Sequence, residues 1–393
     1  MSLPRCAALI LSAGLSSRVG SFKPLLQLGS QTLVERAVAL FRAAGVEDVR
    51  VVVGHRAHEV MPLIEAAGAQ VVPNARYPEG MFSSVRAGVE TLGPDVDAFY
   101  VLPVDVPLVR PWTVRRLREV LFERGAPVVY PRFAGARGHP PLIAARCRSA
   151  IRASDGLGGL RAVLRQWEAE AADADVADRN ILFDVDGPEE WEEAVARWRR
   201  RSVPTREECE ALLRHVFPVD PAVLRHSQAV ARVALAVDKA LAAAGVALDL
   251  AVVEAAALLH DIAKGQPEHA RAGARILEEL GYPETAAAAA SHVDFEGDTN
   301  GPVGPREVVY LADQLAWGDR VVPLEARFSA RMAELAGDPA ARAAAESRLA
   351  CTRRVRDCVA AALGQPLEYA LPELRRFPRS PIGCWRDELA DGA

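Results

Sequence analysis

Short apolar runs alternate with amphipathic ones through the first half of the chain. Residues 7–12 (Ala-Ala-Leu-Ile-Leu-Ser) read as a buried strand, closed by Gly14. Residues 32–45 carry apolar positions at helical spacing and end on a glycine. The pattern continues with a strand at 49–54, a helix at 82–93, a strand at 98–105 and a helix at 112–124. Further strands are expected at 127–131 and 141–145, and the stretch from Ile181 to Trp198 reads as strand, turn and helix. Strands alternating with helices predict an α/β domain with a doubly wound, mostly parallel sheet.

The second half loses the strand signal. The charged segment 199–208 contains Pro204, and Thr205 is placed to cap a helix. Beyond it the chain is Ala- and Leu-rich at helical period, with long helices expected at 221–244, 248–263, 267–281, 304–318 and 339–363 and no convincing strand. The expected organisation is an α/β domain over 1–202, an all-α domain over 203–370 and an irregular Pro- and Arg-rich tail over 371–393.

Composition fits that picture and narrows the partners. The chain has 393 residues, 50% hydrophobic and 25% charged, which is too long for one compact core and ordinary for a globular protein. A net charge of -5 gives no electrostatic case for nucleic acid or an acidic membrane as main partner. The six cysteines show no CxxC spacing, which fits a reducing cytoplasm. No segment reaches the ~18 uninterrupted apolar residues of a membrane helix.

The first candidate chemistry follows the first strand. Residues 11–23 run Leu-Ser-Ala-Gly-Leu-Ser-Ser-Arg-Val-Gly-Ser-Phe-Lys. Gly14 and Gly20 permit close backbone approach, and Ser hydroxyls, Arg18 and Lys23 supply donors and positive charge to an anion. A solvated Ser/Gly loop with two incidental bases would read the same way. Asp105 stands at the C-terminal end of the strand 98–105, the edge where open α/β sheets bind ligands, and a carboxylate there suits a Mg-nucleotide. A turn or helix-cap aspartate is the bland alternative. Gly80, Ser83 and Ser84 open the helix 82–93 as a second polar site, and segments 133–143 and 183–191 put further polar residues beside strands.

These motifs together resemble the MobA/MocA-like nucleotidyltransferases, which include the molybdenum-cofactor cytidylyltransferases. The signature L-x-A-G-x-S-x-R-M-G-x-x-K is matched by Leu11, Ala13, Gly14, Ser16, Arg18, Gly20 and Lys23, with Val19 for the usual Met. Asp105-Val106-Pro107, Arg137-Gly138-His139-Pro140 and the run from Asp184 to Glu190 match three later motifs in order. The resemblance implies a nucleotide-diphospho-sugar-transferase-like fold and transfer of a nucleotidyl group from an NTP to a phosphorylated acceptor. Leu11, Ala13, Gly14, Ser16, Arg18, Lys23, Gly80, Ser83 and His139 would bind the nucleotide. Arg18, Lys23 and Mg²⁺ on Asp105 would neutralise the reacting phosphates, with Asp184 or Asp186 completing the metal site. Ser12-Ala13-Gly14 lies closer to the cytidylyl than to the guanylyl pattern, which favours CTP and molybdopterin. A sugar phosphate remains the alternative acceptor.

The second candidate chemistry is His260-Asp261 in an apolar helix pattern, with Lys264 a turn later. An imidazole and a carboxylate are costly there unless they pair or bind metal, and a satisfied core pair is the simpler reading of the dipeptide alone. His226 lies upstream, and His269, His292 and Asp313 follow, an N/O set suited to a divalent transition metal such as Fe, Mn or Zn. The set resembles the HD phosphohydrolases. That resemblance implies that His226, His260, Asp261 and Asp313 hold a metal, that Lys264 contacts a substrate phosphate, and that His269 and His292 match residues of two-metal members. His292 is followed by Val293 where many members have a second histidine, so a single metal is the expectation. Phosphoester hydrolysis is the implied reaction, and catalysis across both halves would rest on Arg18, Lys23, Asp105 and Lys264. A non-catalytic HD half that senses a nucleotide and gates the transferase is the alternative. The implied partners are an NTP, a phosphorylated small molecule and, further out, molybdoenzyme maturation proteins. His55 and His58 read as surface residues and His215 as structural.

Overall fold

The computed structural model describes residues 4–14, 22–293, 295 and 301–376, and the chain separates into two compact units, residues 1–200 and 201–393. In the first unit, β1 (Cys6–Ser12) is followed by the short hairpin β2 (Gln27–Leu28) and β3 (Gln31–Thr32). The helix α1 (Leu33–Ala43) starts there because Thr32 accepts from the Glu35 amide while the Glu35 carboxylate accepts from the Thr32 amide. Then come β4 (Asp48–Val53), α2 (Ala57–Ala66), β5 (Gln70–Pro73), α3 (Met81–Thr91), β6 (Ala98–Pro103) and α4 (Pro111–Arg124). After β7 (Val128–Phe133), β8 (Ala136–Arg137) and β9 (Leu142–Ala144), the unit closes with α5 (Arg148–Ala153), α6 (Gly159–Leu164), β10 (Ala172–Asp175) and α7 (Pro188–Arg199).

The eight-stranded sheet runs β10-β7-β9-β6-β1-β4-β5, with β8 paired to β7. Pairs β1/β4, β1/β6, β4/β5 and β7/β10 are parallel, while β9 runs antiparallel between β6 and β7. Alternate side chains of β1 enter opposite cores: Ala8 and Ile10 join Phe41 and Leu117 on one face, Leu9 and Leu11 join Val85 and Val89 on the other. That two-sided burial is why the central strands read as continuous apolar runs. Several parts of the pattern read differently from expectation. Residues 57–66 and 70–73 form α2 and β5, which are too short to stand out in the periodicity. The strand expected from Ile181 is a 3₁₀ turn, Arg179–Leu182, because Asp178 accepts from the Asn180 amide and folds the backbone back on itself.

The second unit is built of α8 (Arg206–Ala211), α9 (Pro221–Ala243), α10 (Leu250–Leu259), α11 (His269–Glu279), α12 (Pro283–Ala289), α13 (Pro305–Leu315), α14 (Leu324–Glu334) and α15 (Pro339–Leu363). Thr205 caps α8 through a reciprocal pair with Glu208. The apolar α10 is the central helix and packs against α9, α12 and α13, as expected of a helix that is hydrophobic all round. Three differences from the sequence expectation stand out. α10 ends at Leu259, so His260, Asp261 and Lys264 lie in the turns that follow it rather than on one helical face. α13 ends at Leu315, where the chain enters a small antiparallel hairpin, β11 (Ala316–Trp317) with β12 (Arg320–Val321), a strand pair the Ala/Leu-rich composition concealed. Of the expected irregular tail, Pro372–Arg376 forms a 3₁₀ turn and residues 377–393 lie outside the described part. Among the described residues no helix is long and apolar enough to cross a membrane.

Candidate functional sites

In the first unit three backbone segments meet at the C-terminal edge of β1 and β6. Leu11 pairs with Pro103 in parallel register, the Val104 amide donates to the Leu11 carbonyl at 3.1 Å, and the Val185 amide donates to the Asp105 carbonyl at 2.8 Å. Those bonds set Asp105 and Asp186 near one another although 81 residues separate them in the chain (186 − 105). Lys23, in the buried turn Lys23–Leu25, places its ammonium between them, 2.8 Å from Asp186 Oδ1 and 3.4 Å from Asp105 Oδ2. Burial raises the Asp105 carboxyl above its ordinary range, and the charge and hydrogen bond of Lys23 oppose that without cancelling it. Both oxygens are hard donors of the kind Mg²⁺ takes.

His139 joins the same edge. Its amide donates to the Ile181 carbonyl at 2.8 Å, and its imidazole feels the charges of Asp105 and Asp184 while burial lowers its affinity for a proton. Gly138 is required here, because a Cβ would lie 2.3 Å from the Ile181 oxygen. Asp184 is exposed, whereas Asp186 is half-buried and bonded to Lys23. Arg137 of the same motif turns elsewhere, to Asp173 and Glu168 at 2.5 and 2.6 Å. Ala13 is buried and Gly14 exposed at the end of β1, while Ser16 and Arg18 lie outside the described residues.

Gly80 and Ser83 form a separate polar cluster at the start of α3. Gly80 takes a positive φ of 102°, and Ser83 Oγ lies 2.8 Å from both the Arg76 and Gly80 carbonyls. Its anchor is Asn74, buried behind β5, whose Nδ2 donates to Ser83 Oγ at 2.9 Å and Ser84 Oγ at 3.0 Å. Asn74 was not singled out from the sequence. A buried amide directly after an apolar strand is the signal that could have found it. His58 is exposed as expected, but His55 is half-buried, its ring 6.2 Å from Phe22 and 6.3 Å from Tyr77.

In the helical unit the sequence-selected residues converge. His226 comes from α9, His260 and Asp261 from the turn after α10, His269 from α11, His292 from the segment after α12 and Asp313 from α13. Three imidazoles spend Nδ1 on a backbone carbonyl: His226 on Gly318 at 3.1 Å, His260 on Ala257 at 2.8 Å and His292 on Ala289 at 2.9 Å. Nδ1 therefore donates outward and each Nε2 turns inward, carrying a lone pair in the neutral ring and a second proton where it hydrogen-bonds a carboxylate. His226 Nε2 lies 3.0 Å from Asp313 Oδ1, and His292 Nε2 lies 3.2 Å from Asp261 Oδ1. His260 Nε2 is buried without a hydrogen bond, 3.6 Å from Asp261 and 3.8 Å from Asp313. Lone pairs facing carboxylates repel unless a proton or a metal cation stands among them, so this donor set fits a divalent transition metal.

The charge states agree with that chemistry. Burial would raise both carboxyls. Hydrogen bonding from His292, with His260 and Lys264 nearby, holds Asp261 well below the usual range. The Arg327 charge and the His226 hydrogen bond do the same for Asp313. Burial pushes His260 down to about 4, keeping it a neutral donor. His292 is raised, because its bond to Asp261 and the field of Asp313 outweigh burial. Two clusters emerge, His226–His260–Asp261 and Asp261–His269–His292, each with ligand atoms within 4.8 Å of one another and Asp261 common to both. Lys264 Nζ lies 3.0 Å from Asp261 Oδ2, its side chain about half exposed at 47%.

Comparison with known proteins separates the same two units. Residues 8–172 match the MobA-like NTP transferase domain and residues 223–336 match the HD domain. The chain joins a MobA-like NTP transferase domain to an HD domain. A bifunctional IPC transferase and DIPP synthase of Rubrobacter xylanophilus is 40% identical over 116 residues, 28% of this chain and 26% of that protein. The chain thus spans about a quarter of the length of this relative. The molybdenum cofactor cytidylyltransferase of Escherichia coli is 23% identical over 193 residues, 48% of this chain and 95% of that protein. Among solved structures, a nucleotidyl transferase from Methanothermobacter thermautotroptrophicus is 24% identical over 50% of this chain and 99% of its own, with a TM-score of 0.44.

Proposed function

We propose that the transferase domain moves a nucleotidyl group from a Mg-bound NTP, CTP in the leading reading, onto a phosphorylated small molecule, molybdopterin in the leading reading. The observation that carries this is the convergence of Lys23 on Asp105 and Asp186 at the sheet edge. Mg²⁺, when bound, supplies Lewis acidity toward the triphosphate and would be held by Asp105 and Asp186. An oxygen of the acceptor phosphate forms the new bond to the α-phosphorus as the α–β bridging P–O bond breaks. Pyrophosphate leaves with the electron pair. Lys23 offsets the charge that otherwise keeps two anions apart, and the exposed backbone at Gly14 cradles the phosphates together with Arg18. His139 and the Ser83 cluster border the nucleotide, and Asp184 is the outer of the two paired aspartates.

The cytidylyltransferase relative, matched over 95% of its own length, favours CTP with molybdopterin. The more identical relative carries a different name, so another phosphorylated acceptor, a sugar phosphate among them, is the second reading. Incubating the full chain with CTP, GTP or UTP, each with molybdopterin or a sugar phosphate, tests this. Pyrophosphate release with CTP and molybdopterin supports the first reading, and release only with a sugar phosphate replaces it by the second.

For the HD domain the inward Nε2 lone pairs support a metal-dependent phosphohydrolase. His226, His260, Asp261 and Asp313 would hold one metal. The cluster of Asp261, His269 and His292 favours a second beside it, which revises the single metal expected from Val293. Bound metal would supply Lewis acidity and acidify water. Lys264 is exposed enough to meet a substrate phosphate while remaining paired to Asp261. Bound metal with turnover of a generic phosphodiester supports the hydrolase; bound metal without turnover indicates a sensor instead.

A further inference from the structure

Gln314 is a buried amide next to the metal-type cluster, at a position that no motif or spacing marks. It is 4% exposed on α13. Its Nε2 donates to Asp313 Oδ2 at 2.8 Å and to the His292 carbonyl at 3.3 Å. These two acceptors belong to different parts of the centre. Asp313 presents its other oxygen, Oδ1, to His226. His292 faces Asp261 and His269. One NH₂ group therefore fixes which oxygen of Asp313 points inward and where the His292 backbone sits.

Arg327 completes the frame from α14. Its guanidinium donates to the Asp313 and Ala316 carbonyls and lies 4.0 Å from Asp313 Oδ1. Arg327 holds the backbone at the end of α13 and, with His226, faces Asp313 Oδ1, but neither bonds the other oxygen, Oδ2. Gln314 supplies the bond to Oδ2, and removing its donor leaves that buried carboxylate oxygen unsatisfied.

We propose that Gln314 is a positioning residue that couples the two halves of the HD metal centre, orienting Asp313 for one metal and His292 for the other. This rests on the two-metal reading above. Outer partners of metal ligands are worth about 10–100-fold in metal affinity. Loss of Gln314 therefore weakens both metals together, whereas loss of His269 removes only the metal of its own cluster.

Titration of the metal-stripped full chain with Mn²⁺ tests this, counting as HD sites those that disappear in Asp261→Asn. Two such sites are expected in the unsubstituted chain. Gln314→Met, nearly isosteric but without donors, is expected to weaken both by about 10–100-fold. His269→Ala is expected to lose one and retain the other. The metal-free Gln314→Met chain is expected to keep a cooperative melting transition, lowered by the one unsatisfied oxygen, which separates positioning from unfolding. If that variant unfolds, Gln314→Glu keeps the shape, places a second acceptor against Asp313 and is expected to lose both sites. Wild-type affinity in both variants, or weakening at one site only, overturns the coupling. A chain that binds no Mn²⁺ lost in Asp261→Asn removes the two-metal reading beneath it.

Discussion

In the transferase unit two carboxylates, Asp105 and Asp186, converge on an ammonium; in the HD unit two carboxylates, Asp261 and Asp313, converge on imidazole lone pairs. The first arrangement is partly neutralised by its own lysine, and the Asp186 side chain is 47% exposed. On the proposed function such a site would be loosened by an incoming triphosphate at modest desolvation cost, and its metal would arrive with the substrate. The second arrangement is closed, with side-chain exposures of 0% for His260, 2% for Asp261 and 8% for Asp313. The carboxylates already have Lys264 and Arg327 beside them, but His260 Nε2 is buried with no hydrogen-bond partner, so on the proposed function a metal there would be a resident part of the structure. On that reading one chain holds a site that would receive a metal and a site that would keep one.

The sharpest way to break this contrast is Asp261→Asn. Asp261 belongs to both clusters, so metal retention and phosphoester hydrolysis are expected to be lost together, with kcat down by about 10³-fold, ~4 kcal/mol of barrier. Pyrophosphate release by the other unit should stay within twofold, roughly 0.4 kcal/mol. A parallel loss of both activities would contradict independent sites. Lys23→Met is the mirror experiment. Removing the ammonium should lower nucleotidyl transfer by about 10²–10³-fold and leave hydrolysis untouched.

A smaller effect separates the paired aspartates. Asp186→Asn should raise the Mg²⁺ concentration needed for half-maximal transfer by about tenfold, ~1.4 kcal/mol, and Asp184→Asn should change it little. Equal effects would mean that the arrangement around Lys23 does not persist with nucleotide bound. The smallest change concerns folding. Thr32→Ala removes the cap of α1 and should cost about 1 kcal/mol by chemical denaturation, with the HD unit's metal content unchanged.

The sequence made the ligand types legible and left their geometry open. The strands of the first unit stood out because central strands buried on both faces are uniformly apolar. α2 and β5 escaped because ten and four residues give too little periodicity. The HD residues were visible as charges in an apolar setting, yet the periodicity carried the helix past Leu259, because turns of consecutive i→i+3 bonds keep nearly helical spacing. The choice between Asp184 and Asp186 needed the third dimension: both sit in one motif, and it is Asp186 that lies 2.8 Å from Lys23 Nζ while Asp184 is exposed. Gln314 and Asn74 went unnoticed for a related reason. A buried amide has no spacing rule, and its role lies in the partners the fold brings to it. Ser16 and Arg18 lie outside the described residues, so their part in the phosphate cradle rests on the motif alone.

The most direct test of the contrast is metal content after exhaustive dialysis of the full chain in metal-free buffer, measured by elemental analysis in the unsubstituted protein, Asp261→Asn and Asp105→Asn. Transition metal is expected to stay with the unsubstituted protein and Asp105→Asn and to vanish from Asp261→Asn, with Mg²⁺ retained by none of them. Metal that washes out of the unsubstituted chain, or that disappears with Asp105 rather than Asp261, would contradict it.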